Sequence, residues 1–120
     1  HQFGGYKVQG KSEESSAQIL RQALLLEKAG CHAMILECVP TKLAQEISKK
    51  IKIPTIGIGA GSHVDGQVLV LHDLLGFNVD FKPRFVRHFG QGEKFLTQAI
   101  SEFDQSVKNE NFPNEQESFQ

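Results

Sequence analysis

Apolar and polar positions along the chain fall into a repeating order of helical stripes and short aliphatic runs. After a glycine-broken opening, His1–Gly10, the polar stretch Lys11–Ser16 offers Ser12, Ser15 or Ser16 as a helix cap, with Glu13 and Glu14 suited to the positive helix end. Ala17–Ala29 then places Ile19, Leu20, Ala23, Leu24 and Leu26 at helical spacing, and Gly30 is suited to the C-terminal cap. His32–Glu37 (HAMILE) is short and non-alternating, as expected for a strand covered on both faces in a parallel sheet. Pro40 and Thr41 predict a second helix with Thr41 as its cap and Leu43, Ala44 and Ile47 on its inner face. Thr55–Ile58 reads as a second buried strand, ended by Gly59-Ala60-Gly61. Val68–Leu71 reads as a third, closed by His72-Asp73.

Strands and helices alternating at about this interval predict an α/β fold with a parallel sheet. Beyond Gly76 the character changes. Phe81–Phe89 (FKPRFVRHF) is basic and aromatic and is expected to form a packing helix with a solvated face. Glu93–Val107 carries Phe95, Leu96, Ala99, Ile100, Phe103 and Val107 on one helical face. From Asp104 to the end the chain is polar, with four acids against Lys108; residues 104–120 are expected to form a C-terminal tail.

Composition narrows the function classes. Thirteen Lys and Arg oppose fourteen Asp and Glu, a net charge of −1, which supplies no electrostatic footprint for nucleic acid. The basic aromatic stretch could in principle stack on bases, but nine residues in a slightly acidic chain favour packing. No aliphatic run approaches the roughly 18 residues of a membrane span. Two cysteines, Cys31 and Cys38, make no disulfide framework and fit a reducing, cytoplasmic setting as small apolar fillers. The opening residue is His1 within a loop-like segment, so the chain is expected to be part of something longer.

Among residues with chemical potential, Glu37 is foremost. It ends an aliphatic run, so the predicted sheet puts its carboxylate at the C-terminal edge, where ligands of parallel α/β folds bind. Apolar neighbours would raise its pKa toward that of a neutral-pH general base. A helix-capping or lysine-pairing role accounts for the same position equally well. Gly57–Gly61 (GIGAG) misses the dinucleotide fingerprint. It reads first as a tight turn needing positive φ or close backbone approach, and second as a loop whose amides line a site. His72-Asp73 could form an acid–base pair or simple hydrogen-bonded structure. The five histidines and two cysteines show no metal-ligand spacing.

Five segments, FGGYKVQG (Phe3–Gly10), LECVP (Leu36–Pro40), IPTIGIGAG (Ile53–Gly61), DGQVLVLHDLLG (Asp65–Gly76) and PRFVRHF (Pro83–Phe89), resemble the C-terminal half of the ketopantoate hydroxymethyltransferase family, in family order. The likeness runs to FPNEQESF (Phe112–Phe119). The resemblance implies a (βα)8 barrel whose sixth, seventh and eighth strands lie here, so that residues 1–120 form one partial domain. It implies transfer of a one-carbon unit from 5,10-methylenetetrahydrofolate to 3-methyl-2-oxobutanoate, giving 2-dehydropantoate in pantothenate biosynthesis. A bound Mg2+ chelating the keto acid and a homo-oligomeric ring come with the family. Glu37, in LECVP, matches the family's proton acceptor. The Mg2+ ligands are expected outside these residues, since such a barrel takes about 250 residues. The chain by itself is therefore expected to be inactive. A different class, a non-catalytic half-barrel module acting in assembly, fits the same chain without needing an acid at Glu37.

Overall fold

A computed structural model describes residues 8–80 and 82–119. They fall into two compact units, His1–Leu69 and Val70–Gln120.

The first unit begins with helix α1, Glu13–Lys28. Of the three candidate caps, Ser12 takes the role: its Oγ accepts from the Ser15 N–H, and the Ser15 side chain returns a bond to the Ser12 N–H. This reciprocal pair starts the helix four residues earlier than the apolar stripe alone indicates. Strand β1, Met34–Glu37, follows, then helix α2, Thr41–Lys50, and strand β2, Thr55–Ile58. The two strands pair in parallel, Met34 with Thr55 through Glu37 with Ile58. Leu43, Ala44 and Ile47 of α2 are buried as their spacing predicts. They pack with Ala23, Met34, Leu36, Val39, Ile51 and Ala60 into one core on a single face of the sheet.

Thr41 does not cap α2. The cap position is Pro40, without a side-chain bond, and Thr41 is the first helical residue. Its side chain instead faces Gly61: a Cβ built on Gly61 would lie 2.5 Å from Thr41 Cγ2. Strand β3, Gly66–Gln67, completes a three-stranded parallel sheet in the order β1-β2-β3. Parallel neighbours usually require a long crossover, whereas here the chain returns through Gly59–Asp65 without a helix. Two features make that possible. Gly59 and Gly61 take left-handed φ values of +66° and +81°. The Asp65 carboxylate then accepts both the N–H and the Oγ–H of Thr55, at 2.7 and 2.8 Å, pinning the start of β3 beside the start of β2. Ser48 joins this network through a 2.8 Å bond to Thr55, whose side chain is fully buried. Glu27 ties α1 to the same end of the sheet by accepting the N–H groups of Lys52 and Ile53.

The run Val68–Leu71 is not a third buried strand. Ladder bonding ends with the Val68 N–H donating to the Gly57 carbonyl at 2.9 Å, and Val68 is exposed. Leu71 already belongs to the next helix. The aliphatic run is shared between two elements because a strand end and a helix start are both served by the same residue types, and periodicity cannot separate them over four positions.

The second unit holds helix α3, Leu71–Leu75, ended by Gly76 at φ +74°, and helix α4, Gly92–Lys108. Phe81–Phe89 does not form the expected packing helix: over its described residues it is a turn within irregular chain. Pro83 provides no N–H and disfavours helical backbone at Lys82, and the Val86 N–H closes a turn on the Pro83 carbonyl at 2.9 Å. Val86 is buried, while the Arg87 guanidinium lies 4.4 Å from the centre of the Phe89 ring. The polar segment from Asp104 opens inside α4, where Lys108 pairs with Asp104 one turn earlier. Asn114 then caps a short 3-10 turn, Glu115–Glu117.

Candidate functional site

Parallel pairing gives the sheet a carboxyl edge, and Glu37 is the last residue of β1 on it. The β1 side chains alternate: Met34 and Leu36 are buried in the core, Ile35 and Glu37 are exposed on the opposite face. On that face Ile35 stands beside Ile56 and Glu37 beside Ile58. Ile35 is 66% exposed, although it sits mid-strand, while Ile56 and Ile58 beside it are half-buried, so this face is open at β1 among the described residues. The expected double burial of HAMILE is thus realised on one side only. Among the described residues Glu37 makes neither an ion pair nor a side-chain hydrogen bond. Its charge is felt next door. Burial, and secondarily the Glu37 carboxylate, push the Cys38 thiol above its usual range.

Three further groups gather at the same edge. The Gln9 N–H donates to the Cys38 carbonyl at 2.8 Å, which brings residues 8–10 to the end of β1. The rest of the Phe3–Gly10 motif lies outside the described residues. Gly59–Gly61 continues β2 immediately after Ile58, the register partner of Glu37. The positive φ values there, and the Thr41 side chain filling the space where a Gly61 Cβ would go, support the turn-geometry reading of these glycines. Finally, a groove of about 380 Å3 is lined by Ala23 and Leu26 of α1, by Ile35, Leu36 and Glu37 of β1, and by Gln9.

His72 and Asp73 belong to the second unit and are engaged locally. Asp73 accepts from the Asn78 amide at 2.8 Å, and the His72 ring packs against Phe77 with centres 5.7 Å apart. They form hydrogen-bonded and packed structure, with no hydrogen bond between the two side chains among the described residues. The Thr55–Asp65 clamp escaped the sequence reading, because nothing in a lone Thr and a lone Asp ten residues apart marks them as partners.

Among the described residues no group of three or more His, Cys, Asp or Glu side chains is placed to hold a metal ion. The described residues therefore offer no ligand set for the Mg2+ that the family resemblance implies. No helix of the described residues is long and apolar enough to cross a membrane.

A carboxylate that ends a strand at the carboxyl edge of a parallel sheet is the arrangement of an α/β enzyme site. Comparison with known proteins makes the class specific. The sequence profile of the ketopantoate hydroxymethyltransferase family matches residues 1–115, and the chain belongs to that family. It is 51% identical over 119 residues to the 3-methyl-2-oxobutanoate hydroxymethyltransferase of Anaeromyxobacter dehalogenans, covering 99% of this chain and 39% of that protein. It is 47% identical over 117 residues to the protein of the same name from Francisella tularensis, covering 98% of this chain and 44% of that protein. The chain thus spans about two-fifths of the length of these relatives.

Proposed function

We propose that this chain supplies the carboxyl-terminal part of a (βα)8 barrel that transfers a hydroxymethyl group from 5,10-methylenetetrahydrofolate to 3-methyl-2-oxobutanoate, giving 2-dehydropantoate. In this reading β1, β2 and β3 are the sixth to eighth strands, and residues 1–120 are one partial domain ending in the polar segment 104–120. The observation that carries it is the placement of Glu37, last on β1, at the carboxyl edge and on the face of the sheet that is open at β1. A closed barrel turns that face inward and supplies its cover. The edge of β1, which pairs with no other strand among the described residues, and the groove beside it also fit the place of a neighbouring strand, since an open apolar edge is otherwise an aggregation hazard.

The chemistry assigned to this chain is proton transfer. Glu37 takes the proton from C3 of the keto acid, leaving a carbanion that the adjacent carbonyl stabilises as an enolate. The enolate forms the new C–C bond to the one-carbon unit, whose C–N bonds to the folate are given up, with water supplying the hydroxyl oxygen and tetrahydrofolate leaving. The setting is a cytoplasmic, homo-oligomeric enzyme with small-molecule partners, the keto acid and the folate.

The test uses a full-length chimera in which these residues replace the matching segment of the Anaeromyxobacter relative. Glu37→Gln keeps the shape of the side chain but cannot accept the proton. Deuterium exchange at C3 of 3-methyl-2-oxobutanoate, with Mg2+ and without folate, should fall to background in the variant. Exchange at the parent rate would remove Glu37 from the mechanism. The assembly-module reading predicts no exchange even from the parent chimera.

A further inference from the structure

The alternation along β1 breaks at one residue. Met34 and Leu36 turn to the core, with Ile35 and Glu37 on the other face; Cys38 and Val39 follow, both buried, and Val39 lies within that core. Both are only 7% exposed. Leu36 and Val39 share the core although regular strand alternation sends positions three apart to opposite faces, so the backbone changes course between them. Cys38 makes the change: its φ is +52°, in the left-handed region that residues other than Gly, Asn and Asp seldom occupy. Hydrogen bonds hold it from both sides. Its N–H donates to the Ile58 carbonyl at 2.9 Å, adding a last rung to the β1–β2 ladder, and its carbonyl accepts the Gln9 N–H at 2.8 Å.

We propose that the left-handed backbone of Cys38 is the device that positions Glu37 for proton abstraction. By ending the strand at that point, it makes Glu37 the last side chain delivered to the open face and fixes where along the carboxyl edge its carboxylate stands. Cys38 is a positioning residue in this account and touches no substrate. The inference rests on the reading of Glu37 as the base. The buried thiol adds a compatible detail: held above its usual range, it stays neutral and places no second negative charge beside the carboxylate.

Positioning and packing predict opposite orders for two substitutions. Cys38→Val preserves apolar bulk in the core but is β-branched, and so resists positive φ. Cys38→Gly removes the side chain altogether but adopts the left-handed backbone freely. In the full-length chimera, C3 exchange is measured at saturating 3-methyl-2-oxobutanoate, along with the concentration dependence and the thermal midpoint. If Cys38 acts by positioning, C38V loses roughly tenfold or more in maximal exchange rate while half-saturation stays within about threefold, because a misplaced reacting group costs rate before binding. C38G stays within about threefold of the parent rate even where its thermal midpoint falls, the left-handed backbone being retained. If Cys38 matters only for packing, C38G is the worse variant in rate and stability alike, and the proposal is overturned. Should C38V yield no folded protein, C38A replaces it. Alanine fills more of the site than glycine but tolerates φ +52° less well, so C38A exchanging as fast as C38G or faster overturns the proposal too. Glu37→Gln, run in parallel, separates the two failures. Exchange surviving in E37Q defeats the base assignment; a silent E37Q with C38V at the parent rate defeats only the role of Cys38.

Discussion

Gly61→Ala tests how the loop after β2 is held. Gly61 has φ +81°, and a Cβ there would stand 2.5 Å from Thr41 Cγ2 and 2.8 Å from Thr41 Cβ. Left-handed backbone costs an alanine about 1–2 kcal/mol. Carbon atoms prefer separations of about 3.5–4.0 Å, so the contacts require roughly 1 Å of relief. Rotating the Thr41 side chain does not give it, because the Thr41 Cβ is itself one of the clashing atoms. Overpacking of this kind costs typically about 1–3 kcal/mol. Together the two effects predict a loss of about 2–5 kcal/mol, a severe change for a single substitution. Urea unfolding of the full-length chimera, parent against variant, measures it. Thr41→Ala in the same background removes Oγ1 and Cγ2 but leaves the Cβ contact and the backbone strain. The double variant should therefore recover about 1 kcal/mol relative to the sum of the singles, an interaction energy typical of touching residues. A Gly61→Ala variant within about 0.5 kcal/mol of the parent, the range of neutral surface changes, would refute the geometric account. So would weakened keto-acid binding at unchanged stability, which would make the loop a ligand contact instead of a turn.

Two other outcomes follow from the clamp and from the extent of the chain. The Thr55 backbone N–H, then its hydroxyl, hold the Asp65 carboxyl below its ordinary value. A carboxyl with a lowered folded pKa contributes stability above the unfolded value of about 3.9 and loses it as pH falls through the folded value. Asp65→Ala should thus be less stable than the parent at pH 7, with the gap closing below about pH 4; a gap unchanged down to the acid transition would contradict the clamp. The 120-residue chain alone should show no transferase turnover, because it spans about two-fifths of its relatives' length and its described residues present no three-ligand metal group. Chelator-sensitive turnover by the purified chain would overturn that expectation.

Local chemistry determined much of this protein from sequence. The α2 face of Leu43, Ala44 and Ile47, the strands at Met34–Glu37 and Thr55–Ile58, and the glycine turn after Ile58 each rest on neighbours within a few positions. Glu37 was legible for the same reason: a carboxylate closing an aliphatic run lands at a strand end wherever that strand pairs. The motif order carried the family, which no single motif could have done. Where two elements compete for the same residues, that local reading failed. Val68–Leu71 suits strand and helix equally, and Pro83 outweighed the aromatic spacing of Phe81–Phe89.

Tertiary structure decided what depends on distant partners. Thr41 became the first helical residue with its side chain against Gly61, and Asp65 acquired a partner ten residues away when β3 was laid beside β2. Only the fold showed that β1 is covered on one face, which leaves Ile35 and Glu37 on the open side. Only the fold showed the left-handed turn at Cys38, since cysteine carries no signal for positive φ. Sequence fixes what each segment prefers by itself; side-chain direction, and with it the placement of the carboxylate, is set by which surfaces the packed elements leave uncovered.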